Sequence, residues 1–461
     1  MTWTPGGIAD LSPLARRKEQ RAWYWYDWAN SGYVTTVATV LFAPYLISVA
    51  ERSACGYVGT DSHKCNQHLN VLGLLVSPGS LVFYVVTLAT IVSALVLPVV
   101  GAAADRSPRK KTVMAGFAWA GSVFAALMFF VTGTDWQLGT VLLFAANICL
   151  GSSLVVYDSI LCDIATPDER DRVSSRGWAL GYLGGGLLLA INLAVVTLHG
   201  SLGLDKAMAV RVSLLSAAVW WAAFTFVPYL GIRDRPPVNV VEEHGGLVRE
   251  SFGQLWTTLR AMRGYPVTLT FLVAYLFYND GIQTVIFASS TYGEKQLGFG
   301  TSVLIATILL VQFVAWAGAL IFGRAAESYG ARRVILVGLV VWMAIVTVAL
   351  VLPAHRLGPF MALAVGIGLV LGGTQALSRS FYSLLIPRGR EAEYFSLYQA
   401  CERGTSWLGT LIFGLVHQLT SSYRPAIFAL IIFFVLGFAL LARVDPRRGI
   451  LEAGNTPPVV V

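Results

Sequence analysis

Charge is scarce in this sequence. Asp, Glu, Lys and Arg make up 13% of its 461 residues, against about a quarter in soluble domains. So little charge cannot clothe a water-facing surface, and a hydrophobic content of 56% excludes an ordinary soluble enzyme. Histidine occurs at only six positions and cysteine at five. The sequence contains no His-Glu-x-x-His pair, no compact zinc-finger spacing and no nucleophile elbow, so hydrolytic or metal-dependent chemistry has little to build on. A glycine-rich phosphate loop ending in Lys-Ser or Lys-Thr is also missing, which leaves ATP-driven transport unsupported. The expectation is a protein that is not an enzyme and needs neither cofactor nor metal. A net charge of +8 would suit nucleic acid, but the basic residues recur between long apolar runs instead of gathering in one patch, so no nucleic-acid partner is expected. A cleavable leader is not expected either: Arg16, Arg17 and Lys18 lead into a segment too long and too aromatic for one.

What the sequence has in quantity is apolar runs of about 20 residues, the length that crosses a bilayer. Twelve are legible, giving an all-α membrane protein: Trp23–Val49, Gly79–Ala103, Thr112–Val131, Gln137–Leu161, Gly177–Leu198 and Met208–Leu230, then Pro266–Ser289, Thr301–Phe322, Val334–Leu352, Pro359–Leu385, Ser396–Gln418 and Pro425–Arg443. The charged connection 233–264, with Pro236, Pro237, Gly245 and Gly246, lies near the midpoint and divides a first six-helix half, 1–232, from a second, 265–461. The polar tail beyond Val444 is expected to extend without structure. The aromatic run opening at Trp23 suits an interfacial belt.

Twelve spans put both termini on one face. Every segment assigned to that face carries Arg or Lys, whereas the opposite loops hold only Arg52, Lys64, Lys206, Lys295, Arg356 and Arg424. By the positive-inside rule the basic face is cytosolic, as in a multi-pass protein of a bacterial plasma membrane.

The densest basic segment, Gly101–Lys111, is the turn of a tight helical hairpin, and 222 residues later Gly323–Arg333 repeats its pattern. Asp105 matches Glu327, and Lys110 and Lys111 match Arg332 and Arg333. Pro167 and Pro387 repeat at nearly the same offset, which makes Asp158 and Arg379 near-equivalent. Duplicated helical units are a transporter trait. At these residues the chain resembles the major facilitator superfamily, which carries Gly-x-x-x-Asp-Arg-x-Gly-Arg-Arg/Lys between helices 2 and 3 and a degenerate copy between helices 8 and 9. Pro108 stands where the family has glycine. The resemblance implies two pseudo-symmetric six-helix halves and a gate at the basic face, for which Gly101, Asp105, Arg106, Arg109, Asp158, Glu327 and Arg379 are the candidates. The bland alternative is ordinary surface charge.

An ionisable residue at membrane depth is costly and is a functional candidate by default. Asp280, beside Gly281 in mid-span, is the sharpest; Glu402 and Arg403 lie too far from either end of their span to snorkel. Asp27 sits nearer an end, where a structural role competes evenly with a functional one. An arginine facing a cavity can hold a substrate carboxylate, or Arg403 can neutralise Asp280 or Asp27. The substrate- or proton-binding candidates are Asp27, Asn30, Tyr33, Asn147, Tyr157, Asn279, Asp280, Gln283, Gln375, Glu402 and Arg403; neutral members, like Asn192 and Gln312, are individually as consistent with helix–helix hydrogen bonding. Asp168–Arg172 reads as a solvated charge run.

Cys55, His63, Cys65 and His68 share the first outer loop. A Cys55–Cys65 disulfide is expected, with free thiols or a metal as the alternatives.

Within the superfamily, Trp25–Ser31, Arg172–Ser174, Gly181–Gly186, Tyr278–Gly281, Ala376–Ser380 and Glu391–Tyr398 resemble the fungal vacuolar amino-acid effluxers linked to autophagy and their bacterial relatives. Glu402, Arg403 and Gly404 depart from the branch, which often has Gly-Lys-Ala/Ser there. The resemblance implies amino-acid export in the fungal members and, for the bacterial ones, transport alone. With the ionisable residues at depth, the expectation is a secondary transporter that moves a small polar solute, an amino acid or related metabolite, by alternating access, coupled to protons or another ion through Asp280, Asp27 or Glu402, as a monomer in the lipid bilayer. Efflux of hydrophobic drugs or lipid-like compounds is one alternative, and a non-transporting membrane sensor another.

Overall fold

The computed structural model describes residues 12–59, 65–71, 73–238, 260–404 and 406–461. His63, Lys64, Gly245, Gly246 and Arg249 lie outside them. Sixteen helices and one small hairpin are labelled in chain order: α1 Pro13–Tyr33, α2 Phe42–Cys55, β1 Leu69–Val71, β2 Leu74–Val76, α3 Pro78–Arg106, α4 Lys110–Leu127, α5 Trp136–Ile164, α6 Arg170–Thr197, α7 Lys206–Gly231, α8 Pro266–Thr291, α9 Thr301–Tyr329, α10 Ala331–Val351, α11 Leu357–Leu384, α12 Glu391–Gly404, α13 Ser406–Thr420, α14 Tyr423–Ala429, α15 Ile431–Arg443 and α16 Pro446–Glu452.

Among the described residues eleven helical segments are long and apolar enough to cross a membrane. The first joins α1 to α2 through a wider π-helical stretch, Val34–Leu41. The expected span Ser396–Gln418 corresponds to α12 and α13, with Thr405 between them outside the described residues. At 1.5 Å per residue the 29 residues of α3 reach about 43 Å, beyond a hydrocarbon core of about 30 Å. The charged end of α3, Asp105 and Arg106, therefore clears the apolar layer.

Two hydrophobic cores form, one for each half. The first gathers Tyr26, Leu46, Leu97, Met114, Leu150 and Trp221 from α1 to α7. The second gathers Phe271, Tyr278, Ile335, Trp342, Phe381 and Phe434 from α8 to α15. Many large side chains on other faces remain exposed, Phe83, Ile91, Val141, Phe226 and Val337 among them, as lipid-facing surfaces require. Each half thus holds most of one apolar interior, with Ala392 joining the first and Cys162 the second.

Three local expectations need correction. Asp168–Arg172 is only partly a solvated charge run: Asp168 is exposed but Arg170 is buried, as the run passes through a short 3-10 turn, Pro167–Glu169, into α6, with a Thr166–Glu169 capping box. The box satisfies first-turn N–H groups that would otherwise lack partners. Trp23 is fully buried inside the protein and is not turned outward as a belt residue would be. The tail is folded. Asp445 caps α16 by accepting from the Arg448 N–H, and Asn455 then donates to the Leu384 and Ile386 carbonyls at 2.9 and 2.7 Å. Farther on, the Val459 N–H donates to Asp168 Oδ1 at 2.7 Å, crossing to the first half.

At the opposite end of the bundle, Cys55 and Cys65 are joined in a disulfide. It ties the end of α2 to the antiparallel β1–β2 hairpin, in which Leu69 faces Val76.

Candidate functional site

Arg379 is the hub of the basic end. It is 2% exposed, near the end of α11, yet its guanidinium is surrounded by groups of the other half. Nη2 donates to Asp27 Oδ2 at 3.0 Å and to the Ser174 carbonyl at 3.1 Å. Nη1 donates to Asp27 Oδ1 at 3.4 Å and Asp158 Oδ1 at 3.3 Å, and Nε to Ser174 Oγ at 2.9 Å. Three rings complete the enclosure: those of Trp23, Tyr157 and Trp178 have centroids 4.8, 5.4 and 5.3 Å from the guanidinium carbon. Trp23 stacks on Tyr157 at 4.3 Å and is fixed by its indole N–H donating to the Tyr157 carbonyl. Such faces attract a cation most strongly where water is excluded. Close approach of α6 depends on Gly177, where a Cβ would fall 2.5 Å from Asp27 Oδ2 and 3.1 Å from Arg379 Nη2.

One guanidinium faces two carboxyl groups here. Asp158 gains a second partner, since Gln399 Nε2 donates to its Oδ2 at 2.8 Å. Gln399 Oε1 in turn accepts from Arg403 Nε at 3.3 Å, so the network runs from α1 through α5 and α11 into α12.

A second clasp lies beside the first. Asp105, at the end of α3, accepts from the Ala392 and Glu393 N–H groups at 3.0 and 2.9 Å, the first turn of α12, where helix N–H groups lack internal partners. Lys110 approaches Asp105 and Asp163 at 3.4 Å each and Glu391 at 3.9 Å. Gly101 permits the contact, because a Cβ there would meet the Ala392 carbonyl oxygen at 2.5 Å. Around these clasps Ser174 donates to the Ala376 carbonyl, Ser380 to Asp171 and Arg170 to the Ser383 carbonyl, at 2.7, 2.6 and 2.6 Å. Glu327 is 4.0 Å from Arg172. Arg106 closes α3 and Arg109 precedes α4, its N–H donating to Ser107 Oγ.

The mid-membrane candidates form a separate group. Gln375 donates to Asn279 Oδ1 at 2.9 Å, and Asn279 to the Glu402 carbonyl at 3.1 Å. Asp280 is fully buried and lies about 20 Å along α8 from the basic end. Its Oδ2 accepts from the Gly409 N–H at 2.9 Å, while Oδ1 and the Thr284 hydroxyl one turn later are buried without a partner among the described residues. Arg403 thus neither neutralises Asp280 nor Asp27: Gln399 holds it, and Arg379 holds Asp27. Asn30 donates to the Tyr26 carbonyl of its own helix. Tyr33 is buried against Trp221. Asn147, Gln283, Glu402 and Arg403 are half-buried. Gln312 crosses between halves, donating to Thr35 Oγ1 at 2.9 Å.

Sequence reasoning passed over Trp23, Trp178 and Gln399 as site residues. Gln399 had one signal, its position one helical turn before Arg403. The rings had none, because only the fold brings them around an arginine from the other half.

Comparison with known proteins agrees with this architecture. The family described as "Vacuole effluxer Atg22 like" matches residues 15–454. A Bacillus subtilis (strain 168) protein described as an uncharacterized MFS-type transporter, YxiO, is 31% identical over 428 residues, covering 92% of this chain and 94% of its own length. Autophagy-related protein 22-1 of Phaeosphaeria nodorum is 26% identical, covering 95% of this chain and 92% of its own. In fold, the chain is similar to the major facilitator proton:xylose symporter XylE, with a TM-score of 0.69 at 9% identity over 94% of this chain and 97% of that one. The chain belongs to the vacuole effluxer Atg22-like family of major facilitator transporters.

Proposed function

We propose that the chain moves an amino acid or closely related small polar metabolite by alternating access, driven by a proton gradient, in a bacterial plasma membrane with its basic end toward the cytosol. The observation that carries this reading is the double clasp at the basic end. Each half holds most of one apolar core, while the contacts of Arg379 and Asp105 between halves are ionic or polar. Such contacts can be exchanged for water when the halves rock apart, whereas a shared apolar core would resist separation. With this end sealed, the structure corresponds to an outward-facing or occluded state, and the first task of a transport cycle is to break the clasps.

The protonatable groups at depth supply the coupling. Asp280 is the leading proton carrier. One proton on its Oδ1, donated to Thr284 Oγ1 on the next turn, would give partners to two buried oxygens that have none among the described residues. Glu402 and Asp27 are second in line. The family's autophagy-related members support the amino-acid reading, and the buried polar side chains of Asn279, Gln375 and Gln399 suit a solute that hydrogen-bonds. The protein works as a monomer, each half completing the other's gate.

Counterflow in liposomes tests the reading. Vesicles containing the purified protein and preloaded with mixed unlabelled amino acids should take up a labelled amino acid well above protein-free vesicles, and an imposed proton gradient should drive net accumulation. Transport confined to hydrophobic cations would replace this reading with drug efflux. Ligand binding without any counterflow would replace it with a sensor.

A further inference from the structure

We propose that the enclosure around Arg379 is a receptor for a substrate ammonium group, which takes the guanidinium's place when the basic end opens. This rests on the amino-acid reading above for the identity of the substrate, but the receptor itself follows from the geometry. Among the described residues, every polar contact and every ring around the guanidinium belongs to the first half: Asp27 and Trp23 on α1, Asp158 and Tyr157 on α5, Ser174 and Trp178 on α6. Arg379 is carried by α11 of the second half. When the halves separate at this end, the arginine leaves while these groups stay on the first half, with Asp158 also released from Gln399 and Ser174 from the Ala376 carbonyl.

The vacated cradle cannot remain as it is. Asp27 and Asp158 are 5% and 1% exposed, and two carboxylates in such surroundings without a cation are strongly unfavourable. The groups that remain match a primary ammonium. It has three donors and a compact charge, for which Asp27, Asp158 and the Ser174 carbonyl are acceptors in a cluster already spaced for one cationic head. Trp23, Tyr157 and Trp178 supply the aromatic faces. Arg379 is then left needing an anion, and a bidentate carboxylate suits it. A zwitterionic α-amino acid carries both groups. Inserted between the separating halves, its ammonium replaces Arg379 in the cradle while its carboxylate follows Arg379, so the clasp opens without stranding a charge on either side. Arg379 therefore acts as a tethered competitor of the substrate, and substrate binding and gate opening become one equilibrium.

The test uses Arg379→Ala, which empties the cradle permanently. Ethylammonium chloride, titrated against the purified variant, should raise its melting midpoint saturably above the response to potassium chloride at equal ionic strength. Potassium acetate should do no more than potassium chloride. In Arg379→Ala with Asp27→Asn the ethylammonium response should disappear. A response no larger than that to potassium, or one that persists without Asp27, overturns the proposal. Should Arg379→Ala fail to fold, Trp178→Leu replaces it: KM for amino-acid counterflow from the basic face should rise roughly tenfold, as loss of a desolvated cation–π partner implies, and an unchanged KM overturns the proposal. Saturable ethylammonium binding in a protein that moves no amino acid keeps the receptor and removes only the amino-acid reading.

Discussion

Gly101→Ala should open the basic end without unfolding the protein. The added Cβ would lie 2.5 Å from the Ala392 carbonyl oxygen, 2.8 Å from its carbon and 3.0 Å from Glu393 Cα. All three are backbone atoms of α12 and cannot swing aside, so α3 and α12 must part by about 1 Å to regain ordinary contact. That movement takes Asp105 beyond hydrogen-bond reach of the Ala392 and Glu393 N–H groups, now at 3.0 and 2.9 Å. Hydrogen bonds to a charged group contribute about 1.5–3 kcal/mol each. Water repays part of the loss on opening, so a net shift of about 3 kcal/mol is reasonable, or roughly a hundredfold in favour of the open end. Cys162 is a built-in reporter: it is buried, with its thiol 3.9 Å from the Ser383 carbonyl of the other half. In a background with Cys149 and Cys401 changed to serine, maleimide should label Cys162 at least tenfold faster in Gly101→Ala than in the parent. Gly116→Ala, where an added Cβ meets nothing within 4 Å, should leave the rate unchanged. Equal rates in all three proteins would refute the wedge, as would a Gly101→Ala variant that loses its cooperative melting transition altogether.

Asp280→Asn keeps an acceptor for the Gly409 N–H but cannot carry a proton; gradient-driven accumulation should be lost while counterflow continues, and accumulation at the parent rate would move the coupling role to Glu402 or Asp27. Asn455→Ala removes the bonds to Leu384 and Ile386 and should speed Cys162 labelling severalfold by releasing the tail from the gate, with the same assay showing no change if the tail is only packing. Maleimide added to the outer face should label neither Cys55 nor Cys65 until a reductant is present, and ready labelling beforehand would contradict the bond between them.

The fold was legible because its determinants are local and repeated. Spans declare themselves by length and hydropathy, and the echo of Gly101–Lys111 in Gly323–Arg333 marks the two halves in one dimension. The site was legible only as a set of costly residues. Asp27, Asp158, Arg379 and Asp105 stood out because charge near an apolar segment must be compensated. Which partner compensates which is a property of packing between distant segments. Arg379 lies 352 residues from Asp27, and nothing in sequence spacing pairs them in preference to Arg403. The tail misled for a similar reason: its composition reads as a free polar extension, and only the carbonyls exposed at the end of α11 give Asn455 something to bind.

A charged clasp is a poor way to stabilise a static protein. Replacing a buried ion pair with well-packed apolar groups is often neutral or favourable, because desolvation offsets the Coulomb attraction. For a gate that balance is useful. An apolar seal of the same area would gain about 25 cal/mol for each Å² buried and would lose all of it on opening, which holds the protein in one state. In the Arg379 clasp, attraction and desolvation largely cancel, so the closed and open states can stay within reach of each other. Asp27 and Asp158 share the one guanidinium. The second carboxyl group strengthens the case for exchange, because two buried acidic groups lose their shared donor together when Arg379 leaves and a cation that replaces it serves both.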